Sequence, residues 1–313
     1  MDASSDALPY RGRFAPSPTG PLHFGSIVAA LGSCLEARRR GGEWLLRMED
    51  VDAPRCVPGA DREILLALEA LGFAWDGPVL YQSTRSERYR DALDALRRAG
   101  RVFPCACTRR ELADAASVAV DGGQRYPGTC RAGLAPGREA RAWRLRVDDE
   151  EIGFTDAVQG PISQCLECDV GDFVLLRADG LFAYQLAVVV DDADQGISHV
   201  LRGADLLDST PRQIWLQRCL GVATPAYTHL PVAVNAAGEK LSKQTLAPAV
   251  DPRSPGPLFH AALAFLGQQP PGDLSTASIA DCWVWAGAHW DLAKVPRRRS
   301  APATPGIPVP HSG

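Results

Sequence analysis

No run of eighteen apolar residues occurs in this 313-residue chain, so no helix of the length needed to span a bilayer is expected. The opening residues MDASSDALPY carry acids and lack the apolar stretch of a secretory leader. Positive charge is not in excess. The formal net charge is −4, and such a balance does not advertise a nucleic-acid binder. No internal repeat is apparent. An even cysteine framework is also missing: nine cysteines, some in close pairs, fit a reducing compartment and a metal site better than a set of disulfides. These absences leave a cytoplasmic, globular chain with no membrane partner, 46% apolar and long enough for one large domain or two small ones. Any RNA contact must come from local patches: Arg38-Arg39-Arg40, Arg97-Arg98 with Arg101, or Arg109-Arg110. Solvated helix faces are the commoner explanation of each.

What is present is organised around Arg13 to Ser26, RFAPSPTGPLHFGS. A short strand, Arg11 to Ala15, breaks at Pro16-Ser17-Pro18-Thr19-Gly20-Pro21, where prolines cannot continue a ladder. A helix then runs from Gly25 to Arg40 and stops at Gly41-Gly42. Strand, turn and helix start make an anion site of amides and a positive helix end. Far downstream, Lys240-Leu241-Ser242-Lys243-Gln244 puts two lysines on a polar loop, which suits a phosphate chain whose charge grows during reaction. Between them, Glu43 to Met48 reads as a second buried strand ending in Glu49-Asp50-Val51-Asp52, carboxylates at the edge where open α/β sheets bind ligands. Helices are expected at Asp61 to Leu71 and, capped by Ser86, through Ala99, with a short strand at Val79 to Tyr81. The alternation argues for a parallel sheet. Phe182 to Asp192 re-enters that sheet or forms a helix beside it, and its Tyr184-Gln185 needs partners. Arg202, closing an apolar strand before Gly203, suits capture of a carboxylate. Thr210 to Leu220 reads as a helix, Tyr227 to Val234 as a strand, and Leu258 to Leu266 and Ile279 to Trp285 as helices.

Cys105, Cys107 and Cys130 could supply three ligands of a closed zinc site, which needs a fourth. Cys165-Leu166-Glu167-Cys168 is a rival source of that fourth ligand; otherwise it reads as a local oddity first, two buried thiols or a second metal half-site.

The two nucleotide-facing stretches resemble the signatures of class I aminoacyl-tRNA synthetases. His23-Phe24-Gly25-Ser26 is similar to the HIGH signature with Ser for its second His, and KLSKQ to the KMSKS signature with Gln as its last residue. The words RFAPSPTGPLHFGS, LLRMEDVD, FAYQLAVVVDD, RGADLL and KLSKQ resemble the glutamyl group, over Arg11 to Gly267. Only residues 245–313 follow the last signature, which leaves no room for a helical anticodon-binding region. The chain therefore resembles the truncated, glutamyl-tRNA synthetase-like family, in which glutamate goes to the queuosine base in the anticodon of tRNA(Asp). The alternatives are a synthetase-like enzyme charging a tRNA 3′ end and a non-catalytic tRNA- or amino-acid-binding relic.

The resemblance implies an α/β fold: a Rossmann-type catalytic domain with a zinc-binding insertion and a short helical C-terminal part. The expected divisions are a flexible arm at 1–10, half-domains at 11–100 and 181–245 around an insertion at 101–180, a helical region at 246–295 and a disordered proline-rich tail at 296–313. It implies ATP, L-glutamate and queuosine-bearing tRNA(Asp) as partners of a monomer, with Mg²⁺ accompanying ATP and one structural Zn²⁺. By resemblance, glutamate is held by Arg13, Phe14, Ala15, Pro16, Ser17, Glu49, Tyr184 and Arg202. Glu49 takes the amino group and Arg13 is favoured for the side-chain carboxylate. ATP falls to His23, Gly25, Lys240, Ser242 and Lys243, with His23 and Lys243 catalytic, and zinc to Cys105, Cys107, Tyr126 and Cys130.

Overall fold

A computed structural model of the chain describes residues 9–115, 117–119, 122–235, 237–241 and 249–303. The first strand, β1 (Arg11–Phe14), leads through the proline turn into α1 (Phe24–Arg39), then β2 (Glu43–Met48), α2 (Ala60–Ala70), β3 (Leu80–Tyr81) and α3 (Ser86–Arg98). β1, β2 and β3 lie side by side and parallel, with Arg13 opposite Leu45 and Met48 opposite Tyr81. Gly41, at φ +62°, supplies the left-handed residue that turns the chain from α1 into β2. α2 is amphipathic, burying Ala60, Ile64 and Leu68 at four-residue spacing.

An insertion follows. It holds β4 (Val102–Cys105), α4 (Arg109–Ala115), β5 (Ser117–Val118), β6 (Gln124–Arg125), β7 (Ala142–Leu145), β8 (Glu151–Asp156), β9 (Gly160–Cys165), α5 (Leu166–Asp169) and β10 (Phe173–Leu176). β7 pairs antiparallel with both β4 and β10, and β8 with β9 forms a hairpin. The chain then returns through α6 (Tyr184–Asp194), β11 (His199–Gly203), α7 (Thr210–Leu220), β12 (Ala226–Leu230) and β13 (Val232–Val234). β11 and β12 are parallel, and the Ser198 amide donates to Arg11 O at 3.0 Å, which sets β11 beside β1. The catalytic sheet is therefore built from two pieces of chain that meet at β1 and β11. Last come α8 (Pro255–Phe265), α9 (Ile279–His289) and β14 (Ser300–Pro302).

One core joins α1, β1 and β2 to α8 and α9 through Leu31, Trp44, Ile64, Phe259 and Leu263. A second joins α3, α6 and α7 to the insertion sheet through Tyr89, Leu145, Leu175, Leu186 and Leu216. The ambiguous run from Phe182 resolves as the helix α6. Its Val188, Val189 and Val190 favour strands by propensity, but burial of the helix on all sides from Leu186 to Asp192, packed on α3 and α7, prevails.

Three expectations need correction. Ser86 is the first residue of α3 and makes no capping bond; Arg85 occupies the cap position. The strand expected over Tyr227 to Val234 is divided at Pro231, which has no N–H for a ladder, into β12 and β13. The tail expected to be disordered from residue 296 is ordered through residue 303, because it has partners. Ser300–Pro302 pairs parallel with Val232–Val234, Arg297 donates to Gln159 O, and Arg299 pairs with Asp208 at 3.0 Å. Deleting residues 296–313 is expected to lower the unfolding free energy by at least about 1 kcal/mol, the scale of a few lost hydrogen bonds, in urea titration. An unchanged midpoint would show that the β14 contacts add nothing.

Candidate active site

The C-terminal ends of β1, β2 and β11 converge where the strand order reverses, the place at which an open α/β sheet leaves a crevice. Arg13 lies near the end of β1, Glu49 directly follows β2, and Arg202 lies near the end of β11. The proline loop is held to this edge: the Glu49 amide donates to Pro16 O and the Val57 amide to Pro18 O, both at 2.9 Å. Neighbouring residues of β1 face opposite ways, as a pleated strand requires. Phe14 turns into the core and stacks on Trp44, whereas Arg13 turns toward α6. Phe14 can thus offer only backbone to the crevice, and Ser17 is exposed beside it.

Arg13 forks onto Asp192 through Nε (3.0 Å) and Nη2 (3.3 Å). Arg47, fully buried, reaches the same carboxylate at 2.8 Å, Glu49 at 3.5 Å and Gln195 Oε1 at 2.8 Å. Burial pushes Asp192 up, yet the two guanidinium groups outweigh it and hold the carboxyl below its usual range. Glu49 goes the other way: burial raises it, and Arg47 and Arg13 only partly oppose that. The remaining acids after β2 have structural partners. Asp50 accepts from Ser83 N and Oγ, and Asp52 pairs with Arg55 and Arg177, both at 2.7 Å.

Arg202 is different. It is 6% exposed, and among the described residues its hydrogen bonds all go to neutral groups. Nε donates to His229 Nε2 (3.0 Å), Nη1 to Tyr184 Oη (3.4 Å), and Nη2 to Thr210 Oγ1 (2.9 Å), Gln213 Oε1 (2.8 Å) and Leu206 O (3.4 Å). His229 Nδ1 lies 2.6 Å from Asp156 Oδ2, and both residues are essentially without exposure. Burial depresses the imidazole to about 4, against the Asp156 bond that would raise it. A neutral ring with its proton on Nδ1 donates to Asp156 and leaves Nε2 to accept from Arg202. Tyr184 feels all of these groups: burial raises its phenol most, Arg202 and Arg13 lower it, Glu49 and Asp192 raise it. Arg13, Glu49, Tyr184 and Arg202 therefore share one buried, positively biased crevice, suited to an anion carrying carboxylates.

The residues expected from the sequence to face a nucleotide lie next door. A cavity of about 100 Å³ is lined by His23, Gly25, Ser26, Gly203, Asp205 and Lys240 among others. Lys240 Nζ lies 2.6 Å from Asp205 Oδ2. At Gly25 the backbone runs close to its surroundings: a Cβ there would lie 3.2 Å from the His23 ring, tighter than usual, and 3.6 Å from Leu241 O, an ordinary contact. The open amides expected at the start of α1 are partly taken: His23 caps its own helix, Nδ1 accepting from Ser26 N at 3.2 Å. Ser242, Lys243 and Gln244 lie outside the described residues.

In the insertion, the Cys105, Cys107 and Cys130 sulfurs all lie within 4.8 Å of one another. Cys107 and Cys130 Sγ are 3.6 Å apart, and Tyr126 Oη sits 3.6 Å from Cys105 Sγ and 3.9 Å from Cys107 Sγ. A tetrahedral zinc with bonds of about 2.3 Å to sulfur requires ligand separations of about 3.8 Å, so the donor set fits a closed site. Gly171 closes round it at φ +75°, where a Cβ would lie 2.8 Å from Tyr126 O. Cys165 and Cys168 are not members of this cluster.

Sequence reasoning missed Arg47, Asp192, His229 and Asp156 as parts of the crevice. A signal existed for the first two: a lone Arg in a buried strand and an Asp ending an apolar helix each demand a partner. Nothing local marks His229 or Asp156, which meet only through tertiary packing.

Comparison with known proteins agrees with this geometry. Residues 10–254 match the family of tRNA synthetases class I (E and Q), catalytic domain. A curated protein from Dechloromonas aromatica, named glutamyl-Q tRNA(Asp) synthetase, is 65% identical over 93% of this chain and 97% of its own length. One of the same name from Chromobacterium violaceum is 60% identical over 93% of this chain and 97% of its own. The crystal structure of glutamate-tRNA synthetase from Elizabethkingia anophelis superposes with a TM-score of 0.77 at 27% identity, covering 95% of this chain and 68% of that one. A glutamate tRNA ligase from Elizabethkingia meningosepticum, solved in complex with its amino acid, gives 0.76 at 27% identity, covering 95% and 67%.

The buried imidazole sets a pH dependence. An unfolded His titrates near 6.5, whereas native His229 stays neutral down to about 4. Between these values the unfolded chain binds a proton that the native protein does not, so stability falls as pH falls. Wild-type melting temperature is expected to drop more steeply from about pH 6.5 to about 4.5 than that of His229→Gln, whose amide cannot titrate. Parallel curves would remove the neutral imidazole.

Proposed function

We propose that this chain, which belongs to the class I tRNA synthetases of the E and Q group, activates L-glutamate with ATP and passes it to the queuosine base in the anticodon of tRNA(Asp). The observation that carries the reading is Arg202, a buried guanidinium whose hydrogen-bond partners among the described residues are all neutral. A buried charge without a counter-ion is costly, and a carboxylate from the substrate removes that cost. Arg13 and Arg47 are engaged by Asp192, and Arg202 reaches Asp156 only through the neutral His229, so the Arg202 guanidinium is the group best placed to take a substrate carboxylate. Glutamate has a side-chain carboxylate and glutamine does not. A neutral amide would leave a guanidinium unpaired, which is the basis for rejecting it.

In the proposed pose the glutamate ammonium lies at Glu49, and one carboxylate lies between Arg202 and Tyr184. The second carboxylate approaches Arg13, whose Nη1 is not used by the bonds to Asp192. This pose departs from the sequence expectation that put the side-chain carboxylate at Arg13, since Asp192 already engages Arg13 through two bonds while Arg202 makes no ion pair among the described residues. Arg202 is therefore the better partner for the side chain, and Arg13 for the α-carboxylate that attacks phosphorus. The α-carboxylate displaces pyrophosphate from the α-phosphorus of ATP, giving glutamyl-adenylate. Charge then grows on the phosphoryl oxygens. His23, Gly25 and Lys240 line the neighbouring cavity and receive the nucleotide, with Ser242 and Lys243 assigned to the same task from sequence. Mg²⁺ enters with the ATP phosphates; Asp50 and Asp52 are engaged elsewhere. A queuosine hydroxyl then attacks the acyl carbon and AMP leaves. Zinc, held by Cys105, Cys107, Tyr126 and Cys130, would fix the insertion and take no part in the chemistry. The choice of queuosine over a tRNA 3′ end is supported by relatives named glutamyl-Q tRNA(Asp) synthetase that match over 97% of their own length.

Labelled glutamate, ATP and tRNA(Asp) with or without queuosine test the reading. The expected product carries label in the anticodon loop, located by nuclease mapping, and only when queuosine is present. Label at the 3′ adenosine would make the protein a charging enzyme, and no label on either would overturn the acceptor. For the metal, atomic emission is expected to find about one zinc per chain. Cys130→Ser should lose it and melt at lower temperature. A metal-free wild type whose melting is indifferent to chelator would remove zinc from the assignment.

A further inference from the structure

The turn between β8 and β9 reaches out of the insertion to the wall of the crevice. Asp156, the last residue of β8, is buried there. Its Oδ1 accepts from three backbone amides, Val158 at 3.0 Å, Gln159 at 2.8 Å and His229 at 3.2 Å. Its Oδ2 takes the ring of His229 at 2.6 Å, and Arg202 Nε donates to the opposite ring nitrogen at 3.0 Å. Burial pushes the Asp156 carboxyl up, yet the His229 bond and the Gln159 amide outweigh it and hold it below its usual range. Gln159 fastens the same turn. Its Nε2 donates to His229 O at 2.9 Å and to Arg298 O at 3.0 Å, and its own O accepts from Arg297 Nε at 3.0 Å. The Ala157 amide adds a bond to Tyr227 O at 3.0 Å. The turn is therefore tied to β12 and to the chain just before β14.

We infer that this turn is the positioning element for Arg202, with Asp156 acting through the His229 ring and Gln159 holding ring and turn together, so that a part of the insertion sets how tightly the substrate carboxylate is bound. The inference rests on the proposed seat of the glutamate side chain at Arg202 and adds what aims that arginine. Arg202 Nε needs an acceptor, and His229 Nε2 accepts only while the ring proton sits on Nδ1. A carboxylate has no proton to give, so Asp156 admits only that tautomer. With the proton on Nε2, two donors would meet at 3.0 Å. The guanidinium would then have to swing away, out of its bonds to Thr210 and Gln213. A buried aspartate fixes a histidine tautomer in the same way in a catalytic triad. Here the ring offers its lone pair to an arginine instead of a nucleophile. Asp156 and Gln159 are positioning residues, and neither reaches the substrate.

The test is glutamate-dependent exchange of labelled pyrophosphate into ATP, read as separate KM values for glutamate and ATP. In Asp156→Asn the three backbone amides claim the remaining oxygen. The new NH2 therefore faces Nδ1 and drives the ring proton to Nε2. Glutamate KM is expected to rise about tenfold, while ATP KM and kcat change by less than about twofold. His229→Gln supplies an amide oxygen that turns to Arg202 without reference to Asp156. In that background Asp156→Asn is expected to add less than about twofold to glutamate KM. A loss shared by both KM values and kcat, or a rise undiminished in the His229→Gln background, would overturn the inference in favour of a structural role. Arg202→Lys separates the two claims. If it raises glutamate KM while Asp156→Asn matches wild type, the inference fails and the proposed function stands. If it leaves glutamate KM unchanged, the seat at Arg202 fails and the inference falls with it. Melting temperature checks folding. Should Asp156→Asn not fold, Gln159→Met carries the test by removing the bonds to His229 O and Arg298 O. It is expected to raise glutamate KM about threefold, and an unchanged value would overturn the inference.

Discussion

Two guanidinium groups closing on one buried carboxylate hold this molecule's working parts together. Arg13 comes from β1, Arg47 from β2 and Asp192 from α6, so the contact joins two segments of the chain separated by the whole insertion. Desolvating three such groups is costly, and the cost is met only while all three are present and well oriented. The same contact fixes where Arg13 points. It therefore couples the integrity of the split sheet to the shape of the crevice, and the active site cannot assemble before α6 is in position.

Specificity follows from where compensation stops. Asp192 is met directly by Arg13 and Arg47; Arg202 makes no ion pair among the described residues, and neutral acceptors aim it. Asp156 matters to this at one remove, by keeping the His229 proton on Nδ1 so that Nε2 accepts. The site is thus a graded field, neutral on the α6 side and positive on the β11 side. A small dianionic amino acid with one ammonium group fits its polarity in only one direction.

The strand–turn–helix at Arg13–Ser26 and the alternation through α3 were legible in sequence because their signals are local: prolines that break a strand, glycines that end a helix, apolar residues at helical spacing. The family words carried Glu49, Tyr184 and Arg202 to one place, and the structure brings them together. What was not legible was compensation. Whether Asp50 and Asp52 serve ligand or fold depends on Ser83, Arg55 and Arg177, none of which announces itself as a partner. The proline-rich segment after residue 295 misled for the same reason. Composition reports what a segment can do alone, and residues 296–303 of this one are held by β13, Gln159 and Asp208.

The pairing of β14 with β13 bears on how the chain is made. Val232 meets Ser300, and β1 meets β11, so two of the contacts that frame the crevice span long stretches of sequence, whereas the antiparallel insertion closes locally. On a translating ribosome the insertion has all its strands long before the catalytic sheet does. β1 to β3 must wait, half-covered, for β11, and β13 remains an open edge until residue 302 has emerged. The insertion's strands are all present once residue 176 has emerged, so it can close before β11 to β13 arrive to complete the crevice.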